Sequence, residues 1–310
     1  MANYNIGDVV RMMRLYKGMS QEDLADGICS VKTLSRIENG GGKVKTETYF
    51  KLMERMGRFG DRVFSCCSEE DLSYLELATM IKTQVSRQHY GAARVKLALY
   101  TDRTMMTVYE KQFCMREQAV ILAGLHQINH YEMYELLKQS LLFTITFCGD
   151  EPELDYPYTE QEAMIWINIA NSLGRLDRKK EGITICEKII KNLSKTYIER
   201  EIADKLIVIA LNVSAKLLGE LDEFEKGIAI LEKAATLCKQ YLYGPPQASI
   251  LAELAWQLQQ LHFDKPSFAE QEPQIKRYYR QAYALARQHR RCLLLQVIPK
   301  LFEECFQESI

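Results

Sequence analysis

Little in this 310-residue chain suits covalent chemistry or a membrane. Its five histidines, at 89, 126, 130, 262 and 289, are spread over separate segments. No nucleophile motif, phosphate-cradling glycine loop or HExxH pair accompanies them. Catalysis is therefore not expected, and neither is a cofactor. Nine cysteines stand at 29, 66, 67, 114, 148, 186, 238, 292 and 305. None has zinc-ligand spacing, so they read as buried thiols in a reducing cytoplasm. The vicinal pair Cys66-Cys67 supplies too few ligands to hold a metal. No apolar run approaches the ~20 residues of a membrane helix, and no apolar signal segment opens the sequence. The expectation is a soluble protein of the cytoplasm. Charge of one sign is lacking too, since 40 Lys/Arg face 41 Asp/Glu. That balance hides an asymmetry: residues 1–64 carry 11 basic against 8 acidic groups, a net +3, and the remainder is −4.

The basic end contains the stretch SQEDLADGICSVKTLSRIENG, residues 20–40. It reads as two short helices around a tight turn. Ser20 is a good N-cap, and Asp23 three residues on completes an approximate capping box. Leu24 and Ala25 give the first helix its apolar side, and Asp26-Gly27 ends it. Ser30 caps the second helix, whose Leu34 and Ile37 point inward while Val31, Lys32, Thr33 and Arg36 fall outside. Asn39-Gly40 stops it with a residue that tolerates the left-handed conformation. A short helix with a polar, partly basic outer face on a supporting helix suits the DNA major groove.

These residues resemble the Cro/repressor-type helix-turn-helix family, with Ser20, Gln21, Leu24, Ala25, Ile37, Glu38 and Gly40 agreeing at once. The turn, GICS, is one residue shorter than usual, as in the peptide-sensing Rgg/PlcR-type regulators. The resemblance implies base contacts from Val31, Lys32 and Arg36, with Thr33 on the same DNA-binding face, and phosphate contacts from Gln21, Ser30, Lys43 and Lys45. It also implies a partly buried Arg14–Glu38 pair bracing the opening helix, residues 5–17, on the recognition helix. A helix from Thr46 to about Met56 and a short one over 61–67 complete a DNA-binding domain spanning 1–67.

From residue 68 the pattern changes to long amphipathic helices in pairs. LGRLDRKKEGI at 173–183 matches LGELDEFEKGI at 218–228, and Trp166, Leu211 and Trp256 keep the same 45-residue offset. Tyr90 and Tyr131 occupy the turn slot that Phe224 holds later. A large residue, a small one four on, a turn aromatic and a small residue opening the second helix resemble the tetratricopeptide repeat. The repeats are longer than usual and lack its late proline, so they are TPR-like. Five pairs fit between 68 and 289, with 291–308 as a C-terminal capping helix. Residues 149–158 form a loop between the second and third pairs, Gly244-Pro245-Pro246 breaks the chain before the fifth, and 263–273 is a swollen loop. The expected fold is all-α: a helix-turn-helix domain followed, over 68–310, by a right-handed TPR-like solenoid for peptide binding and dimerisation.

First helices line the concave side of such a solenoid. Asn171, Asn212 and Lys216 are the candidates to project there, with Asn168 and Lys82 as weaker ones. Asparagines clamp the backbone of an extended peptide through donor and acceptor together; Lys216 meets a carboxylate, and apolar residues such as Ile167 receive side chains. The whole architecture resembles the Rgg/PlcR-type regulators. It implies a homodimer on a palindromic operator, controlled by a short signalling peptide. Leu293, Leu294, Val297, Ile298, Leu301 and Phe302 exceed what a cap needs and are the expected dimer contacts. Two alternatives stay open at this point: a regulator whose solenoid binds a protein partner or only dimerises, and a scaffold whose helix-turn-helix no longer binds DNA.

Overall fold

Helical periodicity without strand-like alternation becomes, in the computed structural model, a chain of helices. The structure describes residues 6–41, 44–56, 69–102, 106, 108–145, 149–156, 158–195, 200–241 and 244–310, and among them no strand occurs. The N-terminal unit comprises α1 (Ile6–Tyr16), α2 (Gln21–Ala25), α3 (Val31–Glu38) and α4 (Thr46–Arg55). Ser20 and Asp23 form the reciprocal box at the start of α2. Gly27 and Gly40 adopt φ of +65° and +73°, which lets α2 and α3 end in tight turns without Cβ strain. Val10, Met13, Leu24, Leu34, Ile37, Leu52 and Met56 form its core. The helix expected over 61–67 and the Cys66-Cys67 pair lie outside the described residues.

Five helix pairs follow: α5 (Glu69–Ser86) with α6 (Tyr90–Thr101), α7 (Val108–Gly124) with α8 (His130–Leu141), and α9 (Glu160–Arg175) with α10 (Lys179–Ser194). Then come α11 (Arg200–Gly219) with α12 (Phe224–Tyr241), and α13 (Gly244–His262) with α14 (Phe268–Gln288), before a last helix α15 (Cys292–Phe306). Each pair turns through one residue at positive φ: Gln88, His126, Asp177, Asp222 and Asp264. Asp177 and Asp222 are the Leu-Asp aspartates of the 45-residue repeat, and aspartate enters the left-handed region more readily than most residues. Gly182 opens α10 where the pair crosses; a Cβ there would meet the Ala170 carbonyl oxygen at 2.6 Å. Trp166 is buried in the core shared by α7 to α11, and Phe224 packs edge-on against Trp256 of the next pair, with ring centroids 6.0 Å apart.

Four details differ from the sequence reading. Gly244-Pro245-Pro246 does not break the chain but forms the first turn of α13, where an N–H has no helical partner and proline removes nothing. The loop before α14 is short, because α14 starts at Phe268 and carries Pro273 within it. Tyr90 packs on Gly124 of the next pair as expected, whereas Tyr131 is 59% exposed and Tyr134, one turn on, is buried instead. In α15, Ile298 and Phe302 are fully buried and Leu294 and Leu301 partly so, leaving Leu293 and Val297 exposed. A cap on the α13–α14 pair therefore uses most of the apolar residues assigned to a dimer.

Two long-range contacts shape the whole. Tyr16, at the end of α1, donates to Glu153 at 2.6 Å and meets Tyr156 edge-on at 4.8 Å. The segment carrying Glu153 and Tyr156 is held from α10, where Asn192 donates to the carbonyls of Leu154 and Tyr156 at 2.8 and 2.7 Å. The two ends of the helix-pair array also meet. Gln88, in the turn of the first pair, accepts from the Leu293 N–H at 3.1 Å, and His89 Nε2 lies 2.9 Å from Cys292 Sγ.

Candidate nucleic-acid interface and groove

Helix α3 presents its outer face freely. Val31, Lys32 and Arg36 are exposed and Thr33 is partly so. Ser30 Oγ accepts from the Thr33 N–H at 3.1 Å and shares a hydrogen bond with Thr33 Oγ1, so both hydroxyls hold the helix start as well as facing outward. Lys45 is exposed just before α4, and Lys43 lies outside the described residues. The Arg36 stem runs along the chain after α3: a Cβ on Gly41 would sit 2.9 Å from its Cγ. Glycine at 41 therefore leaves Arg36 room to extend.

Behind that face lies a satisfied ionic network. Arg14 Nε and Nη2 donate to the two oxygens of Glu38 at 2.7 and 2.9 Å, and Arg14 Nη1 donates to the Met19 carbonyl at 2.8 Å. Gln21 adds a third donor to Glu38, at 2.7 Å. Gln21, expected on a phosphate, thus has its side-chain amide turned inward to the network, with one N–H left to give. Burial opposes ionisation of Glu38, but the hydrogen bonds from Arg14 and Gln21 and the Arg14 charge outweigh it and hold the carboxyl below its ordinary range. The bidentate pair ties α1 to α3 and fixes the angle at which α3 stands out.

The second site lies on the first helices of the pairs. Partly or fully exposed residues recur at helical spacing: Met164, Asn168, Asn171 and Arg175 on α9, and Lys205, Ile209, Asn212 and Lys216 on α11, with Glu220 just past its end; Leu211 and Val213 are partly exposed as well. The remaining faces pack against α8, α10, α11, α12 and α13, so this stripe is the less covered side of the two helices. Asn168 and Asn171 thus share the less covered side of α9, and Asn212 and Lys216 that of α11. Ile167 is not on the stripe; it is buried in the core, and Met164 and Ile209 are the apolar residues there. Lys82, on α5, stands 5.9 Å over the Phe113 ring.

Hydrogen-bonding capacity on this stripe is unused. Asn168 Nδ2 and Asn212 Oδ1 are shielded from solvent and have no partner among the described residues. Such atoms cost about 1–3 kcal/mol each when left unpaired. Lys216 forms no ion pair there; burial first, then the like charge of Arg175, lowers its basicity, while Glu220 and Glu253 act against that. Arg175 and Glu220, equivalent positions of the repeat, pair at 3.6 Å between α9 and α11. Glu253 on α13 is raised by burial and accepts from Gln257. Arg175, Glu220 and Glu253 were missed in the sequence, although the 45-residue offset from Asn171 to Lys216 also links 175 to 220.

These features define a fold class: an N-terminal helix-turn-helix unit followed by an all-helical, solenoid-like body. Residues 10–58 match the helix-turn-helix family model. In overall fold the chain resembles PlcR of Bacillus thuringiensis in complex with the peptide PapR7 and DNA, at 16% identity and a TM-score of 0.63, over 98% of this chain and 99% of that one. It also resembles ComR of S. thermophilus in complex with DNA and its signalling peptide, at 15% identity and a TM-score of 0.51, over 95% and 97%. PlcR in its apo form matches with a TM-score of 0.54 at 16% identity, over 94% and 97%. Among curated protein sequences none matches the chain. No described helix is long and apolar enough to cross a membrane.

Proposed function

We propose that the chain is a transcription regulator whose operator binding is set by a short extended peptide held on the inward stripe of α9 and α11. The unpartnered amide atoms of Asn168 and Asn212 carry this reading: shielded in the empty protein, they gain partners when the two side chains turn toward a bound peptide backbone. Lys216 takes an acidic group of the peptide, and Met164 and Ile209 receive apolar side chains. Peptide-bound PlcR and ComR, which share the fold, support the same assignment. A palindromic operator read by a homodimer follows from the modest +3 charge of residues 1–64, too little for tight binding by one copy. Half-sites then lie about 10–10.5 bp apart or a multiple of that.

Ligand and operator are coupled through the segment between α8 and α9. It leads directly into the peptide-binding helix and bears Glu153 and Tyr156, on which Tyr16 of the DNA-binding unit rests. A peptide that prefers one setting of α9 thereby biases the setting of α1 and α3. Panning random peptides of five to eight residues against the full chain tests the site. Calorimetry on the recovered peptide should show binding lost or weakened at least tenfold in Asn171→Ala and Asn212→Ala. Parental affinity in both variants would refute the groove site while leaving DNA binding untouched.

A further inference from the structure

The junction at which the array closes on itself contains a thiol, an imidazole and an amide in line. His89 Nδ1 lies 3.1 Å from Gln84 Oε1, and His89 Nε2 lies 2.9 Å from Cys292 Sγ. With the Gln84 amide oxygen as acceptor, the proton sits on His89 Nδ1 and Nε2 is the acceptor facing the thiol, whose Sγ also lies 4.0 Å from the Arg290 carbonyl oxygen. Cys292 is also the first residue of α15, where unpaired helical N–H groups favour a negative charge. Arg291 gives α15 no side-chain cap; the Leu293 N–H is instead taken by Gln88, the neighbour of His89. The same few residues thus face the sulfur and hold the two ends of the array together. Cys292 and His89 are both partly exposed, so small reagents reach them. Among the other described thiols, burial pushes Cys186 up to about 12 and Cys238 to about 11, and raises Cys29 and Cys305.

We propose that Cys292 is a modification site, a base-activated thiol that reacts with hydroperoxides and small electrophiles, and that its modification opens the junction between the first helix pair and α15. With hydrogen peroxide, His89 Nε2 takes the thiol proton and the sulfur attacks one peroxide oxygen. An S–O bond forms as the O–O bond breaks. The sulfur is oxidised to a sulfenic acid and the peroxide is reduced to water, its leaving oxygen receiving the proton held on the imidazole. The added oxygen occupies the 2.9 Å between Sγ and Nε2, and His89 and Gln88 must withdraw from α15. This site is separate from the stripe on α9 and α11 and stands whether or not a peptide binds there.

The test uses the full chain. Limiting iodoacetamide, followed by peptide mass spectrometry, gives a rate for each cysteine, with Cys305 in the same helix as internal reference. Cys292 should react roughly tenfold faster than Cys305, and His89→Gln should slow Cys292 by a similar factor while leaving Cys305 unchanged. The sign is decisive. A His89 that merely covers the sulfur would, when replaced, make alkylation faster, and a faster or unchanged rate overturns the activation. Peroxide with dimedone trapping should label Cys292 before Cys305. In the oxidised protein the amides of residues 293–295 should exchange with solvent faster. Unchanged exchange overturns the opening of the junction.

Discussion

The helix-turn-helix unit and the stripe on α9 and α11 treat buried polar groups in opposite ways. Behind α3, Glu38 receives two bonds from Arg14 and one from Gln21. On the stripe of α9 and α11, Asn168 and Asn212 keep shielded atoms without partners, and Lys216 has burial but no ion pair. The first arrangement stores no unmet demand, so α3 is held ready for a rigid surface. The second leaves polar demand unmet, which under the proposed function an occupant would supply. A DNA reader needs a fixed angle; a sensor needs a free-energy difference between its empty and filled states.

Breaking the satisfied side should have the largest effect. Glu38→Ala leaves a buried arginine unpaired and should cost about 3–5 kcal/mol of domain stability, read by chemical denaturation of the full chain. Because the Glu38 carboxyl is held below its ordinary range, its stabilisation is complete near neutral pH. It is lost as pH falls through the depressed value. Glu38→Gln should accordingly flatten the acid side of the stability profile; an unchanged acid limb would mean that another carboxylate controls it.

Next in size are the DNA contacts. Arg36→Ala should lower affinity for a duplex selected from a random pool by about 1–3 kcal/mol and relax one position of each half-site. Lys45→Ala should weaken all sequences alike and flatten the salt dependence. Equal operator affinity in Arg36→Ala would remove the assignment of α3 as the reading helix.

The smallest effect sharpens the unsatisfied side. Asn212→Leu deletes an unpaired buried acceptor at similar volume and should leave the empty protein unchanged or about 1 kcal/mol more stable. The same substitution should abolish peptide binding. A clear loss of stability would show that Asn212 is satisfied within the chain and is not waiting for a ligand.

The DNA-binding half was largely legible in the sequence because its signals are local. The Ser20–Asp23 box, the two glycines at positive φ and the Arg14–Glu38 pair are each set by fixed spacing within about 25 residues. The helix pairs were legible through the 45-residue period, and the asparagine and lysine candidates of α9 and α11 are each partly exposed on their own helix. What failed depended on neighbours that periodicity does not name. Ile167 is as apolar as Ile209, and only the packing of α9 against adjacent helices decides that one is core and the other open. Tyr131 and Tyr134 are one helical turn apart, and burial went to the second. Pro245 and Pro246 are compatible with a chain break or with a first helical turn, and tertiary packing selects the turn. The junction of His89 with Cys292 joins residues 203 apart, for which the sequence holds no local signal.

The most direct test of the account is the affinity of the full chain for its selected duplex, measured by fluorescence anisotropy with and without saturating peptide recovered by panning. Coupling between the inward stripe and α3 predicts a change of at least about fivefold, the lower end of ordinary allosteric coupling, and none in Asn212→Leu. Identical isotherms with and without peptide would contradict it.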